Sequence, residues 1–129
     1  MVPHIRVVSA EIERDGAYLI TQRRAEAALP LLWEFPGGRV REGEGDGDAL
    51  RRALRDRLGV DAAVGHRVLL VSHEYQGYTL DMVVYRCMIA GEPRRARVAD
   101  VRWVRPDDFG KYPFPGADQR TIDQLLRDS

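Results

Sequence analysis

The residues able to do chemistry crowd into one stretch of this chain. Trp33-Glu34-Phe35-Pro36-Gly37-Gly38 sets two aromatic rings and a carboxylate against a Pro-Gly-Gly break, and Gly43, Gly45 and Gly47 follow among Glu42, Glu44, Asp46 and Asp48. Glycine permits backbone conformations and close approaches that other residues resist, so this is a shaped loop. Carboxylates gathered on or beside such a loop can hold a divalent cation. Phe35, Tyr75 and Tyr78 can stack on a nucleobase because an aromatic face accepts any base, although Phe35 also suits a core. Other chemistries are excluded. Cys87 is the only cysteine, so one chain can build neither a disulfide framework nor a cysteine-based zinc site. It lies in an apolar run and reads as a small buried hydrophobe. His4, His66 and His73 are scattered without metal-ligand spacing, and Trp33 and Trp103 read as structural.

The elements that hold this loop follow from length and pattern. A chain of 129 residues with 44% hydrophobic content fits one domain, 1–129, with its own core. Its 20 basic and 20 acidic residues cancel, which argues against a duplex nucleic-acid binder or a membrane-surface protein, so any phosphate site is local. No stretch approaches the roughly 20 apolar residues of a membrane span, and the start lacks a signal-peptide run, so the expected location is cytoplasmic. Residues 5–22 partly alternate, and Asp15-Gly16 falls where a hairpin turn belongs, predicting two antiparallel strands. Residues 24–32 read as a surface loop. Asp48 is expected to cap a helix from Ala49, with Leu50, Leu54 and Leu58 on one face and Gly59 ending it. Segments 60–71, 79–89 and 98–104 read as strands, and 117–127 as a helix with Asp118 near its start. The order β-β-loop-α-β-β-β-α implies an α/β (α+β) fold, a mixed β-sheet sandwiched between helices.

The spacing within the loop and helix carries a family resemblance. Gly38, five residues, Glu44, seven residues, then Arg52-Ala53-Leu54-Arg55-Asp56-Arg57-Leu58-Gly59-Val60 resembles a Nudix box, in register at Gly38, Glu44, Arg52, Leu54, Gly59 and Val60. Segments 18–24, Gly91-Glu92-Pro93, Val101-Arg102-Trp103-Val104 and Phe114-Pro115-Gly116-Ala117-Asp118 are similar to MutT-like members, so the resemblance covers nearly the whole chain. It implies a Nudix fold and Mg²⁺- or Mn²⁺-dependent hydrolysis of a nucleoside triphosphate, or another nucleoside-diphosphate-linked compound, to a monophosphate and pyrophosphate. In the family, glutamates at positions 53, 56 and 57 share one helix face toward the ion. A backbone carbonyl near Gly38 joins them, and Arg52 pairs with Glu44 to tie loop to helix. The resemblance thus implies catalytic roles for Glu44, Arg52 and Asp56 and metal contacts at Gly38, Glu44 and Asp56.

Departures fall where the chemistry lies. Ala53 supplies no ligand, Asp56 a shorter carboxylate and Arg57 a positive charge, and counting back from Trp103 puts Arg97 where a further glutamate is expected. At roughly 4 Å and an effective dielectric near 20, each unit-charge pair is worth about 4 kcal/mol, so a guanidinium in place of a carboxylate beside a dication reverses a large contribution. Arg57 is expected to swing away or to bind phosphate itself, and Arg97 to contact phosphate. Weak or lost hydrolysis is the reading, unless Glu42, Glu44, Asp46, Asp48 and Asp56 together compensate; Asp46 and Asp48 read more simply as solvated loop and cap residues. Arg23 stands at the family's substrate-facing arginine, where a guanidinium suits bidentate phosphate contact. Asp118 stands at the base-recognition position, where an ionised carboxylate would accept from donor edges, or else caps the last helix. The alternative reading is a non-catalytic nucleotide-binding or protein-interaction module. The sequence leaves a homodimer open.

Overall fold

The computed structural model describes residues 3–128. Its elements are strands β1 (His4–Glu11), β2 (Glu13–Arg14), β3 (Ala17–Gln22), β4 (Trp33–Glu34) and β5 (Gly37–Arg39), helix α1 (Asp46–Leu58), strands β6 (Asp61–Tyr75), β7 (Tyr78–Ala90) and β8 (Asp100–Val104), and helix α2 (Gln119–Asp128). Short 3₁₀ turns cover Pro106–Lys111 and Gly116–Asp118. The expected mixed sheet with helices on its faces is present, in the order β5-β1-β7-β6, with β1 and β7 parallel. A second sheet, antiparallel throughout, centres on β3, which pairs with β2, β4 and β8.

Residues 5–22 do not form one hairpin. The Asp15-Gly16 turn is where the sequence put it, with positive φ at both residues (53° and 81°), the geometry of a two-residue hairpin turn. It joins only β2 to β3, because β1 leaves for the other sheet to pair with β7 from His4↔Thr79 to Glu11↔Arg86. Strand β6 outruns the expected 60–71 and reaches Tyr75. Polar Ser72, His73 and Glu74 hide the period, yet cross-strand pairing with β7 holds them.

Helix α1 begins earlier than expected. Gly45 precedes its first turn without a side-chain cap, and Asp48 is not the cap but an exposed partner of Arg51. Asp46 is not a solvated loop residue: it takes two hydrogen bonds from Arg6 (2.9 and 2.7 Å) and one from the Tyr85 hydroxyl (2.6 Å), tying the helix start to β1 and β7. Leu50, Leu54 and Leu58 face Val8, Ala10, Val83 and Cys87, each such side chain contributing about 1.5–3 kcal/mol by burial. The opposite face of that sheet packs Met82 and Val84 with Val71 and Ala117. Ile122 and Leu125 of α2 pack with Tyr18, Ile20, Phe35 and Phe109 against the second sheet.

Candidate functional site

Close packing fixes the loop that carries the site. β5 lies so tightly on β1 that a Cβ on Gly37 would stand 1.9 Å from the Val8 carbonyl oxygen, and Ala10 N–H donates to the Pro36 carbonyl at 2.8 Å. At the other end of α1, Gly59 adopts left-handed φ (67°) and its N–H returns to the Arg55 carbonyl, a geometry glycine takes at little cost. The remaining carbonyls of that last turn need donors, and segment 94–97 supplies them: Arg94 N–H donates to Leu58 (2.8 Å) and Arg97 N–H to Arg57 (3.0 Å). Backbone capping therefore brings Arg97 beside Asp56 and Arg57.

Arg52 donates to both oxygens of Glu44 (2.9 and 2.8 Å) and to the Arg39 carbonyl, while Glu44 also accepts from Arg41 N–H. These bonds, the Arg52 fork first, pull the Glu44 carboxyl down to about 2. The pair is a clamp between loop and helix, and neither residue lines the cavities described next.

Two cavities adjoin on the β3–β5 side of α1. One, of about 370 Å³, is largely apolar and lined by Phe35, Tyr75, Tyr78, Leu80, Met82 and Asp118 among others, with Gly37 and Gly38 at its wall. Tyr75 and Tyr78 stack at 5.1 Å with 22° between their planes, and the Tyr75 hydroxyl accepts from Ala117 N–H. Phe35 is a core residue, 2% exposed and packed on Phe109 and Phe114, so Tyr75 and Tyr78 are the better stacking platform. The second cavity, of about 300 Å³, is polar and lined by Arg23, Arg24, Arg57 and Arg97 with Glu26, Glu34 and Asp56. Arg23, Glu34 and Arg57 line both.

Arg57 does not swing away. It turns inward, and its Nη1 donates to the Gly37 carbonyl. Arg97 forms a 3.5 Å ion pair with the half-exposed Asp56. Arg23 donates from Nη1 to both oxygens of Glu34, at 2.9 and 3.0 Å. Burial raises Glu34 above the usual carboxylate range despite Arg23 and Arg57 beside it. Asp118 is 5% exposed. Burial, then nearby Glu34, pushes its carboxyl well above the ordinary value, against a hydrogen bond from Phe35 N–H and the charge of Arg23. Burial thus shifts its carboxyl toward the protonated form, which donates as well as accepts.

The donor set does not fit a divalent cation. The Gly37 carbonyl faces a guanidinium, Asp56 pairs with Arg97, Glu44 is held by Arg52, and buried Ala53 packs on Gly38. Among the described residues no three of His, Cys, Asp and Glu gather as a metal site would require. Sequence reasoning brought Arg23, Asp118, Tyr78, Arg57 and Arg97 to one cleft but passed over Glu34 as a site residue. Its signal was a carboxylate between two aromatics that the core absorbs. It also missed how segment 24–32 forms the rim, where Leu29 and Leu31 hold positive φ (50° and 62°) and Arg23 donates to the Ala28 carbonyl.

Comparison with known proteins agrees with this architecture. The family profile described as NUDIX domain matches residues 7–124. The chain is 36% identical over 123 residues to the CTP pyrophosphohydrolase of Escherichia coli (strain K12), covering 95% of this chain and 91% of that protein. It is 34% identical over 125 residues to a putative 8-oxo-dGTP diphosphatase 2 of Mycobacterium tuberculosis (strain H37Rv), covering 94% and 87%. The crystal structure of the MutT protein from Methanosarcina mazei Go1 superposes with a TM-score of 0.87 over 98% of this chain and 96% of that one, at 19% identity, a likeness of fold alone. Among the described residues no helix is long and apolar enough to cross a membrane.

Proposed function

This chain belongs to the Nudix family and is MutT-like, and from that premise we propose that its two adjoining cavities bind a nucleoside triphosphate or another nucleoside-diphosphate-linked compound, with metal-dependent pyrophosphohydrolysis weak or lost. The observation that carries the reading is the junction itself. An aromatic chamber meets an arginine-lined one at Arg23, Glu34 and Arg57, which suits a ligand with a flat base at one end and anionic phosphates at the other. Tyr78 and Asp118 would face the base, and Arg23, Arg57 and Arg97 the phosphates. The names of the two relatives, a CTP pyrophosphohydrolase and a putative 8-oxo-dGTP diphosphatase, support a nucleotide ligand of this class.

Mg²⁺ or Mn²⁺ is what the family reaction uses, and the residues here do not fit it. Arg57 on the Gly37 carbonyl also favours a second reading, a non-catalytic nucleotide-binding module. Pyrophosphate release from a panel of nucleoside triphosphates and diphosphate conjugates, with Mg²⁺ or Mn²⁺, separates the two beside an Ala53→Glu/Arg57→Glu/Arg97→Glu variant. The natural chain is expected to be slow or silent and the variant faster by at least about 10²-fold, the lower range of a restored catalytic group. Brisk natural turnover abolished by Asp56→Ala would instead mean that the remaining carboxylates suffice. A chain that binds none of the panel would leave a protein-interaction module.

A further inference from the structure

Resting on the nucleotide reading above, we infer that Arg57 is a built-in cation that takes the place of the divalent ion, so that the cleft binds the metal-free polyphosphate of its ligand and Mg²⁺ weakens the complex. Three observations carry this. Arg57 Nη1 donates to the Gly37 carbonyl, so a backbone oxygen of the glycine loop, a hard ligand suited to a cation, is already matched to a positive group. Among the described residues no carboxylate lies within ion-pair distance of Arg57, whereas the cavity's Arg23, Arg24 and Arg97 each have one: Glu34, Glu26 and Asp56. Arg57 is thus the cation of that chamber without an ion pair, drawn by the Glu34 charge only from beyond that distance, and it lines both cavities.

The sign of the magnesium effect follows from charge. A polyphosphate complexed by Mg²⁺ has lost part of its negative charge, and the ion brings its own positive charge toward Arg57, Arg23 and Arg97. The uncomplexed ligand meets the same guanidiniums with full attraction and with a fork geometry that matches phosphate oxygens. The anchor on Gly37 keeps the Arg57 guanidinium in place before the ligand arrives, which lowers the ordering cost of the contact.

Isothermal titration of the full chain with CTP, GTP and inorganic triphosphate, in EDTA and again in excess Mg²⁺, tests this. A triphosphate should bind more tightly in EDTA than in Mg²⁺. Arg57→Gln should weaken binding in EDTA by about 10- to 100-fold, the range of a charge-assisted hydrogen bond. Ala53→Glu/Arg57→Glu should reverse the preference, binding with Mg²⁺ and not in EDTA. Natural-chain binding as tight in Mg²⁺ as in EDTA, or tighter, would overturn the role of Arg57 and leave the nucleotide reading standing. No binding of any probe in either buffer would remove the nucleotide reading and this inference with it. The EDTA-against-Mg²⁺ comparison on the natural chain needs no variant, so the inference is decided even if Arg57→Gln fails to fold.

Discussion

Two regions of the same loop-helix unit have gone different ways. Gly37, Gly59 and the Glu44–Arg52 clamp set the path of the backbone, and each has a contact that no other residue type supplies as well: a Val8 oxygen 1.9 Å from any added Cβ, a left-handed φ, a two-pronged ion pair. The helix face at 53, 56 and 57, within two turns of that clamp, carries alanine, aspartate and arginine. The difference teaches that the frame and the ligand face are separable. A frame is held by sterics and backbone hydrogen bonds, which do not depend on what the cleft binds, whereas a face of side chains is free to change its charge.

If the two regions are separable, changes to the frame should cost stability and changes to the cleft should alter ligands. The largest effect belongs to Gly37→Ala, where the clash is with backbone that cannot rotate away; chemical denaturation should show a loss of at least about 3 kcal/mol or no folded protein. A stable Gly37→Ala chain would break the comparison at its strongest point. Next comes Tyr78→Ala. It should weaken nucleotide binding by about 1–3 kcal/mol, the contribution of one base–aromatic stack, while moving the melting midpoint far less. An unchanged affinity in calorimetry would remove Tyr78 from the ligand's path.

Two smaller effects are read against pH. The Glu44 carboxyl lies at about 2 in the fold, below its ordinary 4.5, so the clamp's stabilisation is complete above about pH 4.5 and fades as pH falls toward 2. Melting curves of Arg52→Ala and the natural chain should therefore differ most at neutral pH and converge in acid; a gap independent of pH would mean the arginine acts through packing alone. Asp118 has the opposite sign. Its carboxyl is raised in the fold, so ionisation opposes folding from about pH 4, where the unfolded carboxyl titrates, up to its higher folded value. Asp118→Asn should accordingly melt later than the natural chain at neutral pH, with the gain shrinking toward pH 4. A gain that does not vary with pH would show the carboxyl to be unperturbed.

Much of this architecture was legible in the residues. Asp15-Gly16 fixed a hairpin turn because few residues tolerate two positive φ values in succession. Leu50, Leu54 and Leu58 marked α1, and Gly59 its end, because the helical repeat and the left-handed cap are local. The register from Gly38 to Val60 likewise placed Glu44 against Arg52. What was not legible were partners far along the chain. Asp48 looked like the helix cap until Arg6 and Tyr85 drew Asp46 into the first turn, and Phe35 suited both a stacking ring and the core until Phe109 and Phe114 enclosed it.

The sequence by itself determined the family, the two helices and the absence of glutamates at positions 53, 56 and 57, since each is a matter of residue type at fixed spacing. Only the tertiary structure decided what the replacements do. Whether Arg57 turns out to solvent or in to the Gly37 carbonyl, and which way the Asp118 carboxyl is shifted, depends on burial and on charges from other elements. Both are set when β5 lies on β1 and segment 94–97 caps α1, because desolvation and Coulomb interactions act through space and leave no trace in local spacing.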